Sequence, residues 1–189
     1  MELTKPASEN NSHSLIGKRV LHVTYTPSER ITLSANPAYQ TDQPEVHMVD
    51  RLIRLHISGQ SAIEISWNTI KIHWDEEFLN YGIKAKLVAA EAPVTDEGWN
   101  VSAVDFWQDV VGQDITGFAV YNQTTWVESP KTGVPMDFSY PKTIAVSFAN
   151  AKTVFFSVAE YQPGHRYTVV RGINSLVVTT RAEAVALPG

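Results

Sequence analysis

The feature that most constrains this chain is a correspondence between its two halves at a nearly constant offset. Ser14-Leu15-Ile16-Gly17-Lys18-Arg19-Val20 answers to Asp109-Val110-Val111-Gly112-Gln113-Asp114-Ile115, which lays Gly17 on Gly112 at a separation of 95. After each glycine the apolar residues alternate with period two, as a half-buried strand requires. Leu21, Val23 and Tyr25 share one face in the first half, and Phe118 and Val120 share the matching face in the second. Ile53–Ile57 then matches Ile144–Phe148 at a separation of 91, and Ile83–Leu87 matches Leu176–Thr180 at 93. Between these landmarks each half carries a tight connection, Ser58-Gly59-Gln60-Ser61 or Ala149-Asn150-Ala151-Lys152. Gly or Asn there supplies the positive φ of a hairpin turn. The return strands are Ile63–Trp67 and Val154–Val158.

The expected fold is therefore mainly β, with minor helix. Two similar antiparallel units from an internal duplication pack around a pseudo-twofold axis, as a sandwich or a barrel-like pair. The expected boundaries are a disordered start at 1–12, a first unit at 13–90, a linker at 91–104, a second unit at 105–181 and a tail at 182–189. Ile70–Trp74 alternates and reads as an extra strand, Asp75–Leu79 as a single helical turn, and Asp105 as the cap of a short helix ended by Gly112.

Composition narrows the function classes. Apolar residues are 43% of the 189, enough to bury a core, while charged residues are 19% and the net charge is -5. A nucleic-acid backbone is not an expected partner, because it needs clustered Lys and Arg and the longest basic run is Lys18-Arg19. Cysteine is absent, which removes disulfides, thiolate chemistry and sulfur ligation of metals and suits a reducing compartment. The opening MELTKPASENNSHS has no apolar segment, and nowhere do 18 apolar residues run together. The expectation is a cytoplasmic protein with neither a membrane nor a cofactor.

The signatures of common catalytic sites are missing: no GxSxG elbow, Walker loop, dinucleotide fingerprint or HExxH. His73 and Asp75 share a strand face with Glu77 close behind, but no third ligand is specified and the reading is a solvated face without a metal. His56, beside Arg54, reads as exposed strand decoration. Should an enzyme with a dispersed site be hidden here, His56, His73 and His165 are its first suspects.

Two long polar stretches in equivalent places, Thr26–Met48 and Asn122–Tyr140, are the best functional clue, because loops of that length in compact domains often carry function. They hold Tyr39, Trp126, Phe138 and Tyr140, and the acidic pair Asp96 and Glu97 lies between the units. These six residues are the expected binding surface for a protein partner, with the carboxylates suited to a basic one. The expected function is non-enzymatic: a small bacterial inhibitor or immunity-type protein that blocks a toxin or enzyme by stoichiometric binding. The alternatives are a β domain that binds a small ligand or carbohydrate, and the dispersed-site enzyme.

Overall fold

The computed structural model describes residues 14–26, 39–72, 75–89, 98–129, 132–159 and 175–182. Two five-stranded antiparallel sheets pack face to face. The first contains β1 (Val20–Thr26), β3 (Leu52–Ile57), β4 (Ser61–Ile72), β5 (Asp75–Ala89) and β6 (Trp99–Asn100), in the order β5-β4-β3-β1-β6. The second contains β2 (Val46–Val49), β7 (Ile115–Glu128), β8 (Pro135–Phe148), β9 (Thr153–Val158) and β10 (Leu176–Thr179), in the order β2-β10-β9-β8-β7. The strands matched by the sequence offset occupy matching places: β1-β3-β4-β5 runs across one sheet as β7-β8-β9-β10 runs across the other. Two short strands lie outside that scheme. β2 comes from the first half but pairs with β10, and β6 falls in the stretch read as a linker and pairs with β1.

Where the halves meet, the backbone hydrogen bonds are reciprocal. Gly17 N–H donates to the Ile115 carbonyl at 2.8 Å, and Gly112 N–H donates to the Val20 carbonyl at 2.8 Å. Val20 N–H donates to Gln113 while Ile115 N–H donates to Lys18, and Ser58 N–H reaches Arg19 as Ala149 N–H reaches Asp114. Gly17 and Gly112 both have φ near +80°, at +78° and +86°. Arg19 and Asp114 face each other on this seam as an ion pair, Nε to Oδ1 2.9 Å, which raises the guanidinium pKa and lowers that of the carboxylate. Both side chains are well exposed, so the pair contributes little stability.

One core fills the space between the sheets. Val23, Tyr25, Ile53, Leu55, Ile63 and Ile65 from the first sheet belong to the same buried cluster as Ile144, Val146, Phe156, Val158, Leu176 and Val178 from the second. Trp107 lies fully buried among them, carried by the four-residue helix α1 (Asp105–Gln108). The cap of α1 is Val104 and not Asp105, which sits inside the first turn and makes no capping bond.

Several local expectations are corrected by pairing. Leu21 is 51% exposed rather than aligned with Val23 and Tyr25, because the register slips between Val20 and His22 and leaves Leu21 as the extra residue of a β-bulge. The same slip recurs 95 residues later, between Ile115 and Gly117, and leaves Thr116 exposed. Asp75–Leu79 is no helical turn but the start of β5, since its cross-strand ladder with β4 outweighs an acidic helix-like start. Ile70–Ile72 is the end of β4 rather than a separate strand, and residues 73 and 74 lie outside the described residues. Asn122–Tyr140 is not a loop: most of it forms the distal halves of β7 and β8. Of Thr26–Met48, residues 27–38 lie outside the described residues and 46–48 enter β2. The turn after β3 does lie where expected, with Gly59 at φ +86° and Gln60 at +54°.

Candidate functional site

Among the described residues, two places stand out for what they offer a partner or ligand. The first is the distal part of the β7–β8 hairpin. β8 is bordered by β9 only over Thr143–Ser147, so in the ladder of described strands Pro135–Tyr140 pairs with β7 alone and continues as a two-stranded arm. A run of Thr124-Thr125-Trp126-Val127 suits such a ribbon, being β-branched and aromatic. Alternation gives the arm two faces. Val127 and Thr125 are buried on one, at 5% and 7% exposure, while Trp126 projects from the other at 67%. Asp137 stands directly across from Trp126, and exposed Glu128 follows two residues on along the same face. Val134 and Met136, also exposed, lie near the tip.

The other expected anchors are placed differently. Tyr39 is a core residue: its ring meets Tyr25 at 5.1 Å, His47 at 5.0 Å and Trp99 at 5.4 Å between centroids. Tyr140 is 2% exposed and donates its hydroxyl to Gln123 Oε1 at 3.3 Å, with Lys142 Nζ 6.0 Å from its ring. Phe138 is half-buried against Tyr140. Neither tyrosine is presented at the surface: Tyr39, in the turn that precedes β2, belongs to the core cluster, and Tyr140 is a buried position of β8. Asp96 and Glu97 lie outside the described residues, as do His73 and His165. The structure thus gathers Trp126, Phe138 and Tyr140 on one hairpin and separates Tyr39 from them.

The second place is a cavity of about 400 Å³ between the turn that precedes β2 and the start of α1. Gln40, Thr41, Gln43 and Pro44 line one side, Val104, Asp105 and Phe106 the other, and His47 the floor. The turn is braced by the Thr41 hydroxyl, which donates to the Gln43 and Val46 carbonyls. His47 is 3% exposed, and burial pushes its pKa down to about 4. Trp107 Nε1–H donates to the Tyr25 hydroxyl at 2.7 Å, and that hydroxyl lies 2.9 Å from His47 Nδ1. Tyr25 is wholly buried, and burial raises its own pKa.

Sequence reading missed His47, although an imidazole flanked by Val46, Met48 and Val49 in a short apolar run was the available signal. His56 is corrected too. It is buried rather than exposed, stacks on His22 at 3.8 Å, lies 3.4 Å from Thr24 Oγ1, and has its pKa pushed down to about 4 by burial and then by His22 and Arg54. Lys142, 5% exposed, has its pKa pushed down to about 8 by burial. Among the described residues no group of three His, Asp or Glu side chains could hold a metal ion, and no helix is long and apolar enough to cross a membrane. Comparison with protein families, with curated proteins and with solved structures finds no significant match to this chain.

Proposed function

We propose that this chain is a non-enzymatic binding protein that blocks a protein partner stoichiometrically through the β7–β8 arm, in the manner of a bacterial inhibitor or immunity protein acting in the cytoplasm. The observation that carries the reading is Trp126, 67% exposed on a two-stranded arm with a carboxylate directly opposite. Trp is the side chain most often found to dominate interface energetics, because it buries a large rigid area at little entropic cost. Among the described residues, three of the five exposed large apolar side chains, Trp126, Val134 and Met136, lie on this one hairpin; the other two are Ile16 and Leu21. Isolated apolar side chains are ordinary on a surface, whereas several exposed on one hairpin support a recognition role.

The chemistry of the partner follows from the neighbours of Trp126. Asp137 and Glu128 flank the indole with negative charge, and the whole chain carries -5. An Arg or Lys inserted there meets the ring face and a carboxylate together, so the fitting partner is a protein with a basic patch. The cysteine-free, acidic composition supports an intracellular setting.

The test uses the intact chain as bait alongside its Trp126→Ala variant in the source cell. The expected result is a basic protein retained by the intact chain and lost by the variant. Purified, it should form a 1:1 complex that the substitution weakens at least about tenfold, the scale of an interface anchor. A partner held equally by both baits, or an arm that serves only to pair two copies of this chain in sedimentation, defeats the proposal.

A further inference from the structure

The cavity over His47 carries an inference independent of the arm. His47 is 97% buried by residue, since only 3% of its surface remains exposed. Its Nδ1 is engaged by the Tyr25 hydroxyl, whereas Nε2 has no hydrogen-bond partner among the described residues. No fully buried side-chain nitrogen or oxygen among those residues lacks a partner, so Nε2 keeps some accessible surface, and the cavity is the space that His47 lines.

The network also assigns the proton on that nitrogen. An indole N–H can only donate, so the Tyr25 oxygen accepts from Trp107. Tyr25 is enclosed by the core, and among the described residues the acceptor in reach of its own proton is His47 Nδ1. Nδ1 therefore carries a lone pair, and in the neutral imidazole the hydrogen sits on Nε2. A buried relay of Trp107, Tyr25 and His47 thus presents one fixed N–H donor at the cavity floor. Phe106, whose ring lies 4.7 Å from that of His47, and Pro44 supply apolar wall, and exposed Asp105 supplies a carboxylate at the mouth.

We infer that this cavity is a binding site for a small uncharged polyhydroxylated molecule of monosaccharide size. Hydroxyl groups both accept and donate, so one can accept from His47 Nε2–H while another donates to Asp105, and the C–H groups of a sugar can meet the rim of Phe106, 6% exposed, and the ring of exposed Pro44. An anion meets Asp105 with nothing at the floor to neutralise it, and a cation meets a donor where it needs an acceptor. The volume of about 400 Å³ lies within the range of small-molecule pockets.

The tests are ¹⁵N and ¹H NMR of the whole chain with labelled histidine. The free protein should show the Nε2–H tautomer at His47. Titration with glucose, galactose and N-acetylglucosamine should move the His47 and Phe106 signals saturably for at least one of them, with glucuronate binding more weakly. Asp105→Asn, an exposed change, should weaken that binding about tenfold through loss of a charged hydrogen-bond acceptor. Pro44→Trp, which fills the mouth from an exposed position, should abolish it with an unchanged melting midpoint. An Nδ1–H tautomer, no saturable shift with any of the three sugars, tighter binding of glucuronate, unchanged affinity in Asp105→Asn, or binding that survives Pro44→Trp each overturns the assignment.

Discussion

Replacing Tyr25 with Phe probes the polar centre of the core while leaving its shape almost intact. The hydroxyl removed is the acceptor for Trp107 Nε1–H at 2.7 Å and the partner of His47 Nδ1 at 2.9 Å. Trp107 is 0% exposed and His47 3%, so neither group can turn to water when the oxygen is gone. A buried donor or acceptor left without its partner costs about 1–3 kcal/mol, and two are stranded here. The expected loss is thus about 2–6 kcal/mol, a large share of the roughly 5–15 kcal/mol that stabilises an ordinary domain. Equilibrium urea unfolding reads it as a lower midpoint at an unchanged slope. In the Tyr25→Phe background, His47→Leu should then cost much less than it does in the intact chain, because one stranded group is already present. A loss below about 1 kcal/mol in Tyr25→Phe, or simple additivity in the double variant, would refute the relay and the tautomer derived from it.

Three further outcomes follow from the same frame. Residues 1–92 and 93–189, expressed separately, should each fail to unfold cooperatively, since one buried cluster takes side chains from both sheets and β2 pairs with β10; two soluble, cooperatively folding halves would contradict a shared core. Gly59→Val should cost about 1–3 kcal/mol, because φ there is +86° and a β-branched residue is strained at that angle, while the nearest atom to an added Cβ is only the flexible end of Lys18; an unchanged melting midpoint would show that the turn relaxes freely. Folding lowers the pKa of His47 from 6.5 to about 4, so between those values the unfolded chain binds a proton that the folded chain does not. Stability present above pH 6.5 should therefore fall as pH drops through that window, by on the order of 3 kcal/mol from this group, and level off below it. Urea midpoints across the window check this, and a slope unaltered by His47→Gln would contradict it.

The β character, the hairpin at Gly59 and the matched order of the strands are legible in the sequence because each depends on local periodicity and turn chemistry. Ile63, Ile65, Val154, Phe156 and Val158 all fall on the buried faces that their alternation assigns. What escapes is set by partners far away in the chain. Nothing within Val46–Val49 says that it pairs with β10 rather than with a neighbour of its own half. The bulges at Leu21 and Thr116 are invisible to a strict period of two, since the extra residue is defined only by the strand opposite. The polar run Asn122–Tyr140 resembles a loop because only one face of the ribbon is covered: Thr125, Val127 and Tyr140 are buried while Thr124, Trp126 and Ser139 face outward. Of the candidate surface, Trp126 was identifiable as an aromatic among polar neighbours, but Tyr39 has the same local setting and is buried. The difference lies in Tyr25, His47 and Trp99, which enclose Tyr39 from three separate strands.

The most direct test of the binding role is amide hydrogen exchange of the intact chain, free and in its purified 1:1 complex. Recognition through the arm predicts slowed exchange confined to residues 123–139, with the β5–β4 side of the opposite sheet unchanged and the protection lost in Trp126→Ala. Protection on that opposite sheet, with the arm exchanging as freely as in the unbound chain, would contradict it.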